Sequence, residues 1–268
     1  MSVVPLAEAH DEAVYGGKAA QLGAALRAGL PVPPGVALTA ELVDAVAVGD
    51  TAGITALDTV ATLIAGPLAV RSSAIGEDST DASFAGQHLT QLNVRDAQSL
   101  ADAVHAVWAS ARSDAAFAYR ARLGIDGDPQ TGVVVQQLLD PQVAGVLFTR
   151  NPLDGSDERM VEASWGLGEA VVAGRVIPDR FRFARDGTVL ERTVGWKTVA
   201  VRAAPAGGTV EEPVAADLAE QLCLDDRQLA ELNDLATACE QTFGTGRDLE
   251  WAFAEGVLYL LQCRAVTR

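Results

Sequence analysis

The sequence predicts an α+β fold, and three observations carry that prediction. Short apolar, β-branched runs such as Gly132-Val-Val-Val-Gln-Gln-Leu138 stand beside stretches with helical periodicity such as residues 97–122. The two kinds of element mix without the regular β-α-β succession that a parallel, doubly wound sheet requires. The last twenty residues read as a β-hairpin. Residues 1–268 are expected to form a single domain of two lobes, 1–139 and 140–268, with no internal repeat or long linker between them.

Each element follows from a local pattern. Leu22, Ala25, Leu26 and Ala28 recur at helical spacing after Gly16-Gly17-Lys18; Gly29 closes that helix and Pro31-Val-Pro-Pro34 forbids its continuation. Residues 41–65 predict one or two short alanine-rich helices. Leu68-Ala-Val70 predicts a short strand that delivers Arg71 at its end. Residues 97–122 predict a helix with Leu100, Val104, Val107 and Trp108 on one stripe. Two buried strands follow, Gly132–Leu138 and Ala144–Thr149, the second ended by Asn151-Pro152. Residues 180–202 predict a β-meander turning at Asp186-Gly187, and Pro213 is expected to open a helical region that runs to Phe243 with a break near Leu224-Asp225.

Composition narrows the classes of function. A 268-residue chain can bury a substantial core, and 49% hydrophobic against 21% charged residues is an ordinary globular balance. The net charge of −16 argues against a nucleic-acid surface or an anionic membrane as partner. A few placed Arg and Lys side chains still suffice for a small anionic ligand. The three cysteines, Cys223, Cys239 and Cys263, lack metal-ligand spacing and read as reduced, buried thiols. The apolar stretch 42–70 is broken by Asp44, Asp50 and Asp58 and is not a membrane span. With no signal-peptide pattern at the N-terminus, a soluble cytoplasmic protein is expected.

The terminal hairpin holds the densest chemistry. Leu249, Trp251 and Phe253 alternate with Asp248, Glu250 and Ala252, and the following strand places apolar Val257, Tyr259 and Leu261 at odd positions. Strand side chains alternate faces, so the odd positions are expected to share the core face. Pairing residues of equal parity requires an odd loop, and Glu255-Gly256 fits a three-residue turn. Asp248, Glu250, Gln262 and Arg264 then converge on the other face. Oxygen ligands beside a guanidinium suit Mg²⁺ and the phosphates it carries. A solvated outer face with one cross-strand ion pair would give the same pattern.

Two further segments bear cations. Lys18 precedes a helix, although the spacing is not that of a P-loop; a lysine there can meet a phosphate that the helix dipole favours, or be an ordinary surface lysine. Arg71-Ser-Ser-Ala-Ile-Gly-Glu-Asp78 leads into Ala82-Ser-Phe-Ala-Gly-Gln87. Small hydroxyl residues and glycine beside an arginine can clamp phosphates or move over a ligand; they equally suit a polar surface loop with Arg71 paired to Glu77 or Asp78.

Taken together, these segments resemble the ATP-binding domain of the phosphoenolpyruvate synthase and pyruvate, phosphate dikinase family, which includes the rifampicin phosphotransferases. The resemblance is carried by Gly16-Gly17-Lys18, Gly29-Leu-Pro-Val-Pro-Pro-Gly35, Val70-Arg-Ser-Ser73 and Asp81-Ala-Ser-Phe-Ala-Gly-Gln87. It continues through Val135-Gln136, Ala144–Thr149, Glu162-Ala-Ser-Trp-Gly-Leu-Gly-Glu169, Pro178-Asp-Arg180, Asp248-Leu-Glu250 and Gln262-Cys-Arg264, in the family's order and over almost the whole chain. It implies an ATP-grasp-like fold with the nucleotide between two lobes. It implies that Lys18 and Arg71 meet the phosphates and that Gly86 and Thr90 lie in the loop over them. Gln136 falls where a strand meets the nucleotide, or Gln137 if the register slips by one. Glu250 and Gln262 match Mg²⁺ positions, with Asp248 assisting, and Arg264 matches a phosphate-binding arginine. Lys18, Arg71 and Arg264 are thereby the expected catalytic residues, and ATP and Mg²⁺ the expected cofactors.

Two departures shape the functional expectation. The segment between Thr39 and Leu68 is shorter than the family's. The sequence also ends at Arg268, where longer relatives continue into a swivelling domain with a phosphate-carrying histidine. None of His10, His88 and His105 lies in such a motif, and His88 alone adjoins the expected phosphate loop. The expectation is a Mg-ATP-binding phosphotransferase module whose acceptor is a histidine on a separate domain or protein. A kinase acting directly on a small molecule and a non-catalytic nucleotide-binding module are the alternatives.

Overall fold

Residues 3–137 supply a five-stranded antiparallel sheet and residues 143–265 a six-stranded one, in a computed structural model that describes residues 2–75, 89–122, 124 and 126–266. The first half runs β1 (Val3–Pro5), α1 (Glu12–Tyr15), α2 (Gly17–Arg27), β2 (Gly35–Leu38), α3 (Ala40–Ala47), α4 (Thr51–Leu63), β3 (Leu68–Ala74), β4 (Thr90–Val94), α5 (Ala97–Ala111), α6 (Asp114–Arg122) and β5 (Thr131–Gln137). Its strand order is β1-β2-β5-β3-β4. Val36, Leu38, Val70, Val133 and Val135 face α3, α4 and α5, where Leu42, Val60, Leu100 and Val104 meet them in one buried cluster.

Helix boundaries follow their caps. The predicted helical stretch 41–65 is two helices because Gly49 takes a left-handed φ of 76° and Asp50 starts afresh, its carboxylate accepting from Gly53 N at 3.1 Å. Residues 97–122 likewise split at Arg112-Ser113. Asp96 opens α5 with a capping box to Ser99.

The second half runs β6 (Val143–Phe148), β7 (Glu158–Trp165), α7 (Glu169–Val172), β8 (Asp179–Ala184), β9 (Val189–Thr193), β10 (Val199–Ala203), β11 (Thr209–Pro213), α8 (Ala216–Ala219), α9 (Asp226–Phe243), β12 (Arg247–Ala254) and β13 (Val257–Ala265). The strand order is β13-β12-β6-β7-β8-β9. Leu229, Leu232, Leu235, Ala236 and Cys239 give α9 its apolar stripe against Phe181, Phe183, Leu249 and Trp251. The same cluster takes in Ala19, Leu22, Ala25 and Val134 from the first half. The two sheets therefore share a core through α2. All three cysteines are buried and free. No helix among the described residues is long and apolar enough to cross a membrane.

Four expectations are corrected. The strand carrying Arg71 does not stop there: β3 continues to Ala74, so Arg71 is mid-strand. The meander ends at β9, and β10 instead pairs with β11. Pro213 closes β11 rather than opening a helix. The fourth concerns the terminal hairpin. Its turn is the two-residue Glu255-Gly256, with φ of 51° and 77°, both positive as a type I′ turn demands. Trp251 therefore opposes Leu260 and Phe253 opposes Leu258, so Leu258 and Leu260 are buried while Val257 is exposed. A β-bulge then intervenes: Glu250 opposes Gln262, leaving Leu261 as the extra residue. The expected face survives for a different reason, the bulge restoring the parity that the turn had shifted.

Candidate functional site

A cleft of about 640 Å³ opens between the two sheets. Lys18, Arg71, Thr90 and Gln136 line it from the first half, and Glu250, Gln262 and Arg264 from the second. Seven of the residues singled out from sequence thus meet in one place although they span positions 18 to 264.

Local structure explains each placement. Gly16 has a φ of 82°, and a Cβ on it would sit 1.9 Å from Ser73 O. Only glycine allows this turn to lie on β3. Ala19 N then donates to Ser73 Oγ at 3.0 Å, which sets Lys18 in the first turn of α2, buried against the sheet. Arg71 lies two residues from Ser73 along β3 and so projects to the same face. Its cross-strand partners are Thr90 on β4 and Val134 on β5, and Gln136 opposes Ala69. Val134 belongs to the shared core while Val133 and Val135 face the helices. That parity aims Gln136 at the cleft, and Gln136 Nε2 also donates to Pro33 O at 3.3 Å. Gln137, at the end of β5, borders the cleft as well.

The bulge ties the two sheets together at this point. Arg71 Nη1 donates to the carbonyl of Leu261, the extra residue, at 3.2 Å and lies 3.8 Å from Glu250 Oε2. Arg71 Nε is buried with no hydrogen-bond partner, so this guanidinium has donor capacity left. Across the hairpin Arg264 donates from Nε and Nη2 to Asp248 Oδ2 at 2.9 and 2.7 Å. Asp248 does not line the cleft. Burial pushes its carboxyl above the usual aspartate range, with the Arg264 guanidinium opposing that shift and Glu250 adding to it. This carboxylate holds Arg264 in place.

The described residues contain no group of three or more His, Cys, Asp and Glu side chains placed to hold a metal ion. Glu250 and Gln262, directly opposed across the hairpin, nevertheless fit Mg²⁺. That ion commonly takes one or two protein oxygens and completes its shell with phosphates and water. Gly86 and His88 lie outside the described residues; His10 and His105 do not line the cleft.

Sequence reasoning assigned nothing to the remaining walls. Leu138, Leu139 and Pro141, in the connection between the sheets, give an apolar end with Val172 and Ala173. Glu169 stands beside them, and its Oε2 is buried without a hydrogen-bond partner. The signal for it was present in the Gly-Leu-Gly-Glu run ending at residue 169, noted as a resemblance and given no role. The tip of the β10–β11 hairpin closes over β4, where Asn93 Nδ2 donates to Ala204 O and Gly208 O at 2.6 and 2.8 Å.

Three cations, two oxygen-bearing side chains and an apolar slot thus line one cleft in a two-sheet α+β domain. The chain belongs to the family described as the pyruvate phosphate dikinase AMP/ATP-binding domain, matched over residues 54–268. A protein described as a probable phosphoenolpyruvate synthase from Methanothermobacter thermautotrophicus is 34% identical over 96% of this chain and 44% of its own length. A rifampicin phosphotransferase from Streptomyces sviceus is 41% identical over 74% of this chain and 23% of its length. Phosphoenolpyruvate synthase from Pyrococcus furiosus is 38% identical over 75% of this chain and 26% of its length. The chain thus spans less than half the length of these curated relatives. Among solved structures, a D-alanine–D-alanine ligase from Bacillus anthracis overlays with a TM-score of 0.45 at 13% identity, over 94% of this chain and 57% of that one, a likeness too slight to carry weight.

Proposed function

We propose that this domain binds Mg-ATP in the cleft and passes phosphoryl groups to a histidine on a separate domain or protein, giving AMP. The observation that carries the reading is the convergence of Lys18, Arg71 and Arg264 with Glu250 and Gln262 in one cleft, from both of its sides. The protein's share of the chemistry is positioning and charge neutralisation. Lys18, Arg71 and Arg264 hold the phosphate oxygens from different sides, so charge developing on the transferred group meets fixed donors. Thr90 adds a hydroxyl at the same wall. Asp248 keeps the Arg264 fork aimed. Glu250 and Gln262 hold the Mg²⁺, which when bound neutralises phosphate charge. Leu138, Leu139, Val172 and Ala173 take the base and exclude water from it, with Gln136 as a polar contact. The nucleophile is the acceptor histidine nitrogen, which attacks the β phosphorus; the α–β bridging P–O bond breaks, AMP leaves, and the β and γ phosphates move together as a pyrophosphoryl group. The lobes 1–139 and 140–268 act as the two jaws of the site.

The test is transfer in trans. The chain is incubated with ATP labelled at the β or γ phosphate and with the histidine-bearing domain of a phosphoenolpyruvate synthase. The expected result is an acid-labile label on the added domain together with AMP. ADP formed only when a small-molecule acceptor is supplied contradicts the reading and makes the protein a direct kinase. Stable label on the chain itself, lost in His88→Ala, contradicts transfer in trans.

A further inference from the structure

Resting on the reading that the cleft takes a nucleoside triphosphate, we propose that Glu169 recognises the sugar. Its carboxylate accepts hydrogen bonds from vicinal ribose hydroxyls and selects ribonucleotides over their deoxy counterparts. Two independent observations lead there.

The first is chemical. Glu169 lines the cleft, yet its Oε2 is buried and has no hydrogen-bond partner. Every other charged side chain at the cleft whose partners are described makes at least one contact, Arg71 to Leu261 O and Glu250 to Arg71. A buried carboxylate oxygen without a donor is costly, and a ligand that brings donors removes that cost. An ionised carboxylate only accepts. It therefore suits hydroxyl groups and repels phosphate.

The second is positional. Gly168, the preceding residue, sits over the sheet at Ala144, where a Cβ on it would lie 3.8 Å from Ala144 Cβ. Ala144 pairs with Ala252, whereas Glu250 pairs with Val146 and Gln262. Alternate residues of a strand share a face and lie about 7 Å apart. Glu169 is thus one row along the sheet from the metal and phosphate residues. In the other direction Gln142 N donates to Phe253 O, which fixes the apolar connection with Leu138 and Leu139 at the far end. Along the cleft the order is charged residues, then a lone carboxylate, then an apolar wall. A nucleoside triphosphate has the same order: polyphosphate, hydroxylated sugar, flat base.

The experiment is a calorimetric cycle with Mg²⁺ present, titrating ATP, 2′-deoxy-ATP and 3′-deoxy-ATP into the wild type, Glu169→Ala and Glu169→Gln. The wild type is expected to bind ATP roughly 10- to 100-fold tighter than either deoxy analogue, the range for hydrogen bonds to a charged group. Glu169→Ala should largely erase the preference for ATP over the deoxy analogues, because ATP loses the bonds of both hydroxyls whereas each deoxy analogue loses only the bond of the one hydroxyl it keeps. Glu169→Gln, with one acceptor oxygen left, should fall between; it keeps the side-chain volume, so it carries the test if the Ala variant does not fold. Equal wild-type affinity for all three nucleotides overturns the proposal, as does a Glu169 variant that weakens all three equally. A variant that shifts the Mg²⁺ dependence at unchanged sugar preference overturns it too, by making Glu169 a metal residue. No binding of any nucleotide by the wild type fails the underlying reading instead, a result distinct from loss of sugar preference.

Discussion

Replacing Arg71 separates a phosphate-binding role from a structural one. The side chain is 11% exposed, donates to Leu261 O at 3.2 Å and lies 3.8 Å from Glu250 Oε2. At that separation the bare attraction is about 4 kcal/mol for an effective dielectric constant near 20. Desolvation of both groups offsets most of it, so Arg71→Ala should cost about 1–2 kcal/mol of folding stability. In a domain of this size that lowers Tm by roughly 2–4 °C. Phosphate binding should suffer more. Truncating one partner of a desolvated charge pair costs about 3 kcal/mol, roughly 150-fold in Kd. Arg71→Lys keeps the charge but loses the planar fork that serves the bulge carbonyl and a phosphate together, so about tenfold is expected. Differential scanning fluorimetry and calorimetric titration with Mg-ATP read the two effects separately. An Arg71→Ala variant with the expected Tm loss but a Kd within about threefold of wild type would refute the argument and leave Arg71 as a strut between the sheets.

Other substitutions probe the scaffold. Gly16→Ala places a methyl 1.9 Å from Ser73 O in a left-handed turn, so it should cost roughly 3 kcal/mol or more and displace Lys18; thermal melting and Mg-ATP titration should both fail wild-type values. Glu240 is held below the usual glutamate range: its burial acts the other way, but hydrogen bonds from Arg185 and Thr149 and the charges of Arg185 and Arg159 outweigh it. Because the folded pKa is depressed below 4.5, the stabilisation is present above that pH and is lost as pH falls through the folded value. Glu240→Gln should therefore cost about 3 kcal/mol at neutral pH by leaving the buried Arg159 with only neutral acceptors, Asn233 and Thr237, and its denaturation midpoint should fall less steeply on acidification below pH ~4.5 than that of the wild type.

The fold was legible where periodicity and turn chemistry acted locally. The α2 helix with its Gly29 stop, β5, β6 and the apolar stripe of α5 follow directly from spacing. What escaped were effects of pairing. The end of β3 is set by its register with β5 up to Ala74↔Thr131, which no property of Ser72-Ser73 announces. The bulge at Leu261 is likewise invisible, because one extra residue reverses side-chain parity without leaving a mark in composition. The convergence of Glu250, Gln262 and Arg264 was anticipated because two parity errors cancelled: an odd loop was assumed where an even turn plus a bulge exists. The cations were legible as types but not as a set, since α2, β3 and β13 meet only through long-range contacts such as Ala19 N to Ser73 Oγ and Arg71 to Leu261 O. Asp248 shows the limit most clearly. Nothing in the sequence shows that one oxygen of its carboxylate takes the Arg264 fork.

The central claim is that the cleft is a metal-dependent ATP site, and calorimetric titration of ATP into the chain with Mg²⁺ and then with EDTA tests it most directly. With Mg²⁺ the account predicts saturable binding at one site per chain. Removing the metal should weaken that binding at least about tenfold, because Glu250 and the phosphates would face each other uncompensated. Glu250→Ala should abolish the difference between the two conditions. Absence of saturable binding with Mg²⁺, or equal affinity in EDTA, would contradict the account.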